Sequence, residues 1–351
     1  MQSAPSLTPS QLAPFLLNVA TVLPVFIWGP PGIGKSALVK NFAESVGLPC
    51  VSLLGSQLAP EDIIGVPQIV DGKSRFCPPT MIAQDRPYCL FLDELNACSQ
   101  EVQKAFYSLI LDRRIGEYQL PPGTIVIGAG NRAEDAAITR PLSSALINRL
   151  LHVQLRASAK DWLTWAGSAD VNELIIAYIS NRSDHLWSKP PKHEEPFSTP
   201  RSWEMLSRAL TSYGESATLD DIKNIASGLL TPAHAQQFVA FVKIRERAHD
   251  LSAIIKGAAN WPEKPEERDI LYFMTQQLRD RLIKELPDDE SKVRRETREL
   301  ANRCKDLIVS LARISTELAQ LVVTETESGM TLPAWYTIEL ARALPRLAMK
   351  K

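Results

Sequence analysis

One short segment constrains this chain more than any other. Gly29-Pro30-Pro31-Gly32-Ile33-Gly34-Lys35-Ser36 stands between the apolar run Val25 to Trp28 and a stretch with Leu38, Phe42 and Val46 on one helical face. An apolar run that ends abruptly in glycine and proline marks a buried strand entering a tight loop. The loop matches GxxxxGK[ST] residue for residue, and the strand before it and helix after it are the context that gives the pattern meaning. Glycines let backbone N–H groups turn inward around phosphates, and the following helix offers its positive N-terminal end. Lys35 is then expected to reach the β- and γ-phosphates, and the Ser36 hydroxyl to ligate Mg²⁺. The segment expected to bind the nucleotide runs from Gly29 to Ala37.

The rest of the N-terminal half alternates strands and helices. Thr8-Pro9 reads as an N-cap and first-turn proline of a helix running towards Ala20. Cys50 to Leu54, Tyr88 to Leu92, Thr124 to Ala129 and Leu151 to Leu155 read as strands, and Val102, Phe106, Leu109 and Ile110 share a helical face. This order predicts a mainly parallel sheet covered on both faces. Asp71-Gly72, between Val66 to Val70 and Lys73 to Cys77, predicts a hairpin with a type I′ turn. Ile115 to Leu120, before Pro121-Pro122-Gly123, predicts a second, smaller one. Both would project from the sheet, as suits a machine that grips a partner.

The strand Cys89-Leu90-Phe91-Leu92 delivers Asp93 and Glu94 to the end of the sheet, where a doubly wound fold places its ligands. Adjacent carboxylates there suit Asp93 to hold Mg²⁺ through its water shell and Glu94 to polarise an attacking water. A strand ending in two acids is weak evidence alone, because acids also cap helices. Its place after a phosphate loop strengthens it.

GPPGIGKS, FLDELN, GAGNR, PLSSALINRL and STPRSW, in that order between Leu16 and Leu210, resemble the MoxR branch of the AAA+ ATPases. The resemblance implies an α/β P-loop NTPase core of the AAA+ type with a parallel sheet, then an all-α lid. It assigns Asn131 to sensor 1, which positions water near the γ-phosphate. It assigns Arg149 to the arginine finger, a guanidinium inserted from the next subunit to stabilise charge on the transferring phosphoryl group. Arg201, after the N-cap pair Thr199-Pro200, matches sensor 2, acting in cis or in trans. Arg140 is a surface salt-bridge residue or a second trans arginine, and Arg132, in Asn131-Arg132-Ala133-Glu134-Asp135-Ala136-Ala137, has no assigned role. That stretch also resembles McrB-type GTPases of restriction systems, so ATP is the expected base with GTP as the alternative.

After Arg156 the strand signals fade and Asp161 to Ser180 carries a helical pattern. The expected division is a nucleotide-binding domain over 1–156, a helical lid over 157–256 and a helical C-terminal extension over 257–351. Trp162, Trp165 and Trp203 read as lid core. Leu300, Cys304, Leu307, Leu311, Ile314, Leu318 and Leu321 follow a four-three spacing over three heptads. Either this stripe packs within the chain on Leu271, Met274, Leu278 and Leu282, with Pro287 in the turn between helices, or it forms a coiled coil between chains.

Formal net charge is -1, which argues against electrostatic attraction of the whole chain to nucleic acid or to anionic membranes. The five cysteines include no CxxC pair and read as reduced thiols, and the five histidines show no metal-binding spacing. No apolar stretch approaches the length of a membrane span, and the expectation is a cytoplasmic protein.

The resemblance implies ATP and Mg²⁺ as cofactors and a head-to-tail ring of identical subunits, six by expectation. It also implies chaperone-like remodelling or activation of a protein partner, commonly one with a von Willebrand factor A domain. A nucleic-acid-directed motor of the restriction or helicase-loader type is the second reading, against which the neutral charge counts. An ATP-regulated scaffold is the third, against which Glu94 and Arg149 count.

Overall fold

The computed structural model describes residues 4–132, 135, 140–247, 251–324 and 331–344. Most of the segment after Arg132 (133, 134 and 136–139) and His249 lie outside the described residues. The chain forms two compact units: Met1–Val171, His185–Arg208 and Leu229–Thr231 make the first, and Asn172–Asp184, Ala209–Gly228 and Pro232–Lys351 the second.

The strands of the first unit are β1 (Ser6–Leu7), β2 (Val25–Trp28), β3 (Cys50–Leu54), β4 (Val66–Val70), β5 (Lys73–Cys77), β6 (Cys89–Asp93), β7 (Arg114–Ile115), β8 (Tyr118–Gln119), β9 (Ile125–Gly130) and β10 (Leu151–Leu155). Six of them form one sheet in the order β1-β10-β2-β9-β6-β3, with every pairing parallel. Its helices are α1 (Pro9–Val19), α2 (Lys35–Ser45), α3 (Glu61–Ile64), α4 (Gln100–Leu111), α5 (Ser144–Ile147) and α6 (Ala159–Ala166).

β2, β6 and β9 are near-continuous apolar runs because both faces of the sheet are covered. Val25 and Ile27 point into one layer with Leu12, Leu16, Val39 and Phe42 of α1 and α2. Phe26 and Trp28 point into the other, with Val102, Phe106, Leu109 of α4 and Leu146 of α5. That period of two is what turns one short strand into the centre of two cores.

β6 and β9 each begin and end one residue later than the sequence suggests, so Asp93 closes its strand. The strand β1 is a sixth member that two residues could not announce. In the β4–β5 hairpin Asp71 and Gly72 have φ of 53° and 73°, the left-handed pair that a type I′ turn requires. Val66, Ile69 and Phe76 on it are exposed.

The second unit is helical, built from α7 (Glu173–Asn181), α8 (Pro200–Tyr213, whose residues up to Arg208 belong to the first unit), α9 (Leu219–Leu229), α10 (Pro232–Arg247), α11 (Leu251–Ile255), α12 (Arg268–Glu285), α13 (Arg295–Ile314), α14 (Thr316–Val323) and α15 (Ala334–Ala343). The helical pattern over Asp161 to Ser180 is thus two helices, α6 and α7. Gly167 stands at the end of one, and the Asn172 side chain caps the start of the other.

The heptad stripe is interior. Cys304 and Leu311 are fully buried with Leu271, Met274, Leu278 and Leu282 of α12, and Leu300, Leu307, Ile314 and Leu318 pack around them. It is not one helix. Ser315 is extended and its side chain accepts a hydrogen bond from the Leu318 N–H, starting α14 afresh. Six of the seven heptad positions, all but Leu321, thus pack within the chain, as the first alternative expects. Leu311→Ala, leaving a cavity in this core, is expected to cost about 2–5 kcal/mol. Denaturant unfolding should register that loss, with no change in the hydrodynamic size of the folded protein.

Candidate active site

Three strand ends meet because β9 pairs with β2 on one side and with β6 on the other. The loop after β2 is the glycine-rich segment, the residue after β9 is Asn131, and β6 ends in Asp93 followed by Glu94. Gly34, at φ 100°, turns the chain into α2, whose first residue is Lys35.

Lys35 is 8% exposed, and its Nζ donates to the carbonyls of Gly29 at 2.7 Å and Pro30 at 3.0 Å and to Asn131 Oδ1 at 2.8 Å. Burial lowers its pKa to about 8, against the raising influence of the Asp93 carboxylate, while the Arg201 guanidinium lowers it further. The Ser36 hydroxyl donates to Asp93 Oδ2 at 2.5 Å, and Asp93 Oδ1 accepts from the Glu94 N–H at 3.0 Å.

Glu94 is left-handed, with φ 53° and ψ 35°, a conformation that costs a non-glycine residue on the order of 1–3 kcal/mol. Its Oε2 accepts from the Ser56 hydroxyl at 2.7 Å. Asn96, 3% exposed, donates from Nδ2 to the Asn131 carbonyl at 2.7 Å, tying the two strand ends together.

The start of α8 closes over the loop. Thr199 caps it, accepting from the Ser202 N–H at 3.1 Å, and the Arg201 N–H donates to the Gly32 carbonyl at 3.1 Å. A Cβ on Gly32 would stand 2.6 Å from Thr199 Oγ1, and its φ of 74° is left-handed as well. Only glycine fits there.

These groups surround a polar pocket of about 60 Å³ lined by Gly32, Lys35, Asp93, Glu94, Asn131 and Arg201 among others. Beside it is a more apolar pocket of about 190 Å³, whose lining includes Pro9, Ile33, Ala37, Trp162, Trp165 and Glu204. Trp203 is fully buried and Trp162 nearly so, but Trp165 is 38% exposed and belongs to this second pocket, where the sequence suggested core.

Arg149 lines neither pocket. Its guanidinium donates to the Ala145 carbonyl at 3.0 Å and lies 5.6 Å from the centre of the Tyr107 ring. Arg132 is ion-paired with buried Asp135, the partner that sequence alone did not offer it. Arg140 is exposed and its backbone N–H donates to the Asn96 carbonyl at 2.8 Å. Among the described residues no group of three or more His, Cys, Asp and Glu side chains forms a metal cluster, and all five cysteines are free.

The sequence reading missed Ser56, Asn96 and Tyr107. The first follows β3 with no pattern of its own. Asn96 closes the motif FLDELN, two residues beyond Glu94, but has no assigned role there.

Residues 24–150 match the family model of the AAA domain (dynein-related subfamily). This core carries the AAA+ fold. A midasin from Giardia intestinalis is 29% identical over 175 residues, covering 46% of this chain and 4% of that protein. The Holliday junction branch migration complex subunit RuvB from Synechococcus sp. (strain WH7803) is 29% identical over 141 residues, covering 36% of this chain and 34% of the relative. The chain therefore spans about a third or less of these relatives' length. The solved Thermotoga maritima RuvB branch migration motor is 15% identical, with 95% of this chain and 93% of that chain covered and a TM-score of 0.39.

The depressed Lys35 pKa has a direct consequence. Below about pH 8 the ammonium is charged and attracts phosphates; as pH rises through that value the ligand-free protein loses this charge. Affinity for a nucleotide di- or triphosphate is expected to be lower at pH 9 than at pH 7. Lys35→Met should bind weakly at both, and titration calorimetry of the two proteins checks the difference.

Proposed function

We propose that this chain hydrolyses ATP with Mg²⁺ at the interfaces of a ring and uses the cycle to remodel or activate a protein partner. The observation that carries the reading is the convergence of Lys35, Ser36, Asp93, Glu94, Asn131 and Arg201 on one phosphate-sized pocket, with Arg149 outside it.

Each side chain has a stated task. The loop Gly29, Pro30, Pro31, Gly32, Ile33 and Gly34 presents backbone N–H groups to the phosphates, and Ala37 continues the helix whose N-terminus faces them. Lys35, now donating to its own loop carbonyls, exchanges those acceptors for phosphate oxygens. Ser36 and Asp93 offer adjacent hard oxygen donors, the set that suits Mg²⁺, which when bound neutralises phosphate charge. Glu94 acts as general base on water, and Ser56 holds its carboxylate meanwhile. Asn131 orients that water from the end of β9.

Arg201 acts in cis on this reading, since it lines the pocket of its own chain. Arg149 acts in trans, which makes the site incomplete in one subunit and the assembly head-to-tail, closing as a hexamer. The larger pocket beside Trp162 and Trp165 takes the base and ribose, adenine in preference to guanine.

The motif resemblance to the MoxR branch supports a chaperone-like role in the cytoplasm and a partner with a von Willebrand factor A domain. The exposed β4–β5 hairpin supplies a surface for contact. The division into a core (1–156), lid (157–256) and C-terminal extension (257–351) is the working arrangement for these tasks. Among the described residues no helix is long and apolar enough to cross a membrane.

A nucleic-acid-directed motor is the second reading, favoured by the similarity to a Holliday junction branch migration subunit. Turnover stimulated by DNA and not by a protein partner would select it.

Glu94→Gln is expected to bind ATP as wild type does and to lose turnover by about 100-fold or more, the scale of general-base catalysis. Equal steady-state rates for the two proteins would sink the enzymatic reading. The same variant, trapped with nucleotide, is the bait for recovering the partner.

A further inference from the structure

The proposed trans role of Arg149 leaves one question that the fold addresses. A flexible guanidinium must reach the neighbouring subunit in a fixed direction, and a small misplacement of a catalytic group can cost about 100-fold in rate. Something must hold it.

The surroundings of Arg149 in its own chain are built for that. The residue follows α5, a helix of one turn (Ser144–Ile147), too short to be rigid by itself. Helix α4 clamps it at three points. Gln103 Oε1 accepts from the Ser143 N–H at 3.3 Å, and one turn further along Tyr107 shares a hydrogen bond of 2.5 Å between its hydroxyl and Ser143 Oγ. The third is the aromatic face of Tyr107, 5.6 Å from the Arg149 guanidinium carbon, within the range of a cation–π contact. Ser143 Oγ in turn accepts from the Leu146 N–H at 3.3 Å and so caps α5. Tyr107 is half-buried and Arg149 likewise, so the contact is partly shielded from water.

From this we infer that Tyr107 is the positioning residue of the trans-acting arginine, its ring seating the guanidinium and its hydroxyl fixing the cap of α5 that precedes it. The inference rests on the trans role proposed for Arg149. It adds a connection: α4 lies only a short stretch of chain beyond Asp93 and Glu94. The helix that follows a subunit's own carboxylates therefore aims the arginine that the subunit lends to its neighbour.

Subunit mixing separates this inference from the reading beneath it. Arg149→Ala retains its own Lys35 and Glu94, while Glu94→Gln retains its arginine, so mixed rings regain productive interfaces at about a quarter of positions if the arginine acts in trans. Tyr107→Leu is expected to lower kcat about 10-fold or more with little change in KM for ATP. Mixed with Glu94→Gln, it should recover turnover as Arg149→Ala does. If neither mixture recovers, the interface reading and this inference fall together. If the Arg149→Ala mixture recovers and the Tyr107→Leu mixture does not, only the role of Tyr107 is overturned.

A second series guards against a merely structural effect. Tyr107→Phe, followed by replacement of Tyr107 with singly, doubly and triply fluorinated phenylalanine, keeps the ring shape while draining its face of charge. kcat should fall stepwise along the series at constant thermal midpoint. A flat series overturns the cation–π seat.

Discussion

The interaction on which the site depends is the buried Lys35 ammonium. Taking a cation out of water is costly unless its hydrogen bonds are replaced. Here all three of its donors have acceptors: two carbonyls of the loop that precedes it and the Oδ1 of Asn131. The lysine therefore shapes the loop from within, and joins it to the end of β9. Asp93 opposes the cost of burial by Coulomb attraction and is itself engaged by Ser36. The site is thus a closed network of internal partners. On the proposed function phosphate oxygens would replace these partners, and a preorganised site lowers the cost of binding.

That network requires the strand order. Asn131 can meet Lys35 because β9 lies directly beside β2, and Asp93 can meet Ser36 because β6 is next in line. The parallel register brings all three strand ends out on one side, and the alternating side chains of β2 anchor them in two separate cores. The same logic explains Asn96, whose amide bridges to the Asn131 backbone and keeps the two strand ends in register. Strain at Glu94 is held by the same frame: its left-handed backbone is fixed on one side by Asp93 Oδ1 and its side chain on the other by Ser56.

What was legible in the sequence follows from the range of the forces involved. The glycine loop, the strands β2, β3 and β10, and the hairpin at Asp71-Gly72 are set by local rules, and they stand where those rules put them. The residues around the polar pocket were legible because their chemistry is tied to strand ends. Ser56 was not, because its partner Glu94 is distant in the chain and a serine after a strand has many uses. The division of Asp161 to Ser180 into two helices was hidden because helical spacing continued through Gly167 as if unbroken. The heptads left two readings open, and packing within the chain is the one that holds. Their period is real, but burial on α12 and the cap at Ser315 make it the interior of one unit. Periodicity reports which face is covered and is silent on what covers it.

On the interface reading, Arg149 and Arg201 are the two halves of a shared site, and they differ physically. Arg201 follows a capped helix start whose backbone bonds to Gly32, so its position is coupled to the loop of its own chain. Arg149 lines neither pocket; its guanidinium donates to the Ala145 carbonyl and lies over the face of Tyr107. A guanidinium seated on a ring and one carbonyl still has N–H donors to turn towards a stronger field, and a phosphate group gathering negative charge supplies one. A carbonyl and a ring face take up only part of the guanidinium's donor capacity, whereas a bidentate carboxylate would compete directly for the N–H groups that must face the neighbour. On the interface reading, the lack of a carboxylate partner for Arg149 among the described residues is as much a part of the site as the carboxylates at Asp93 and Glu94.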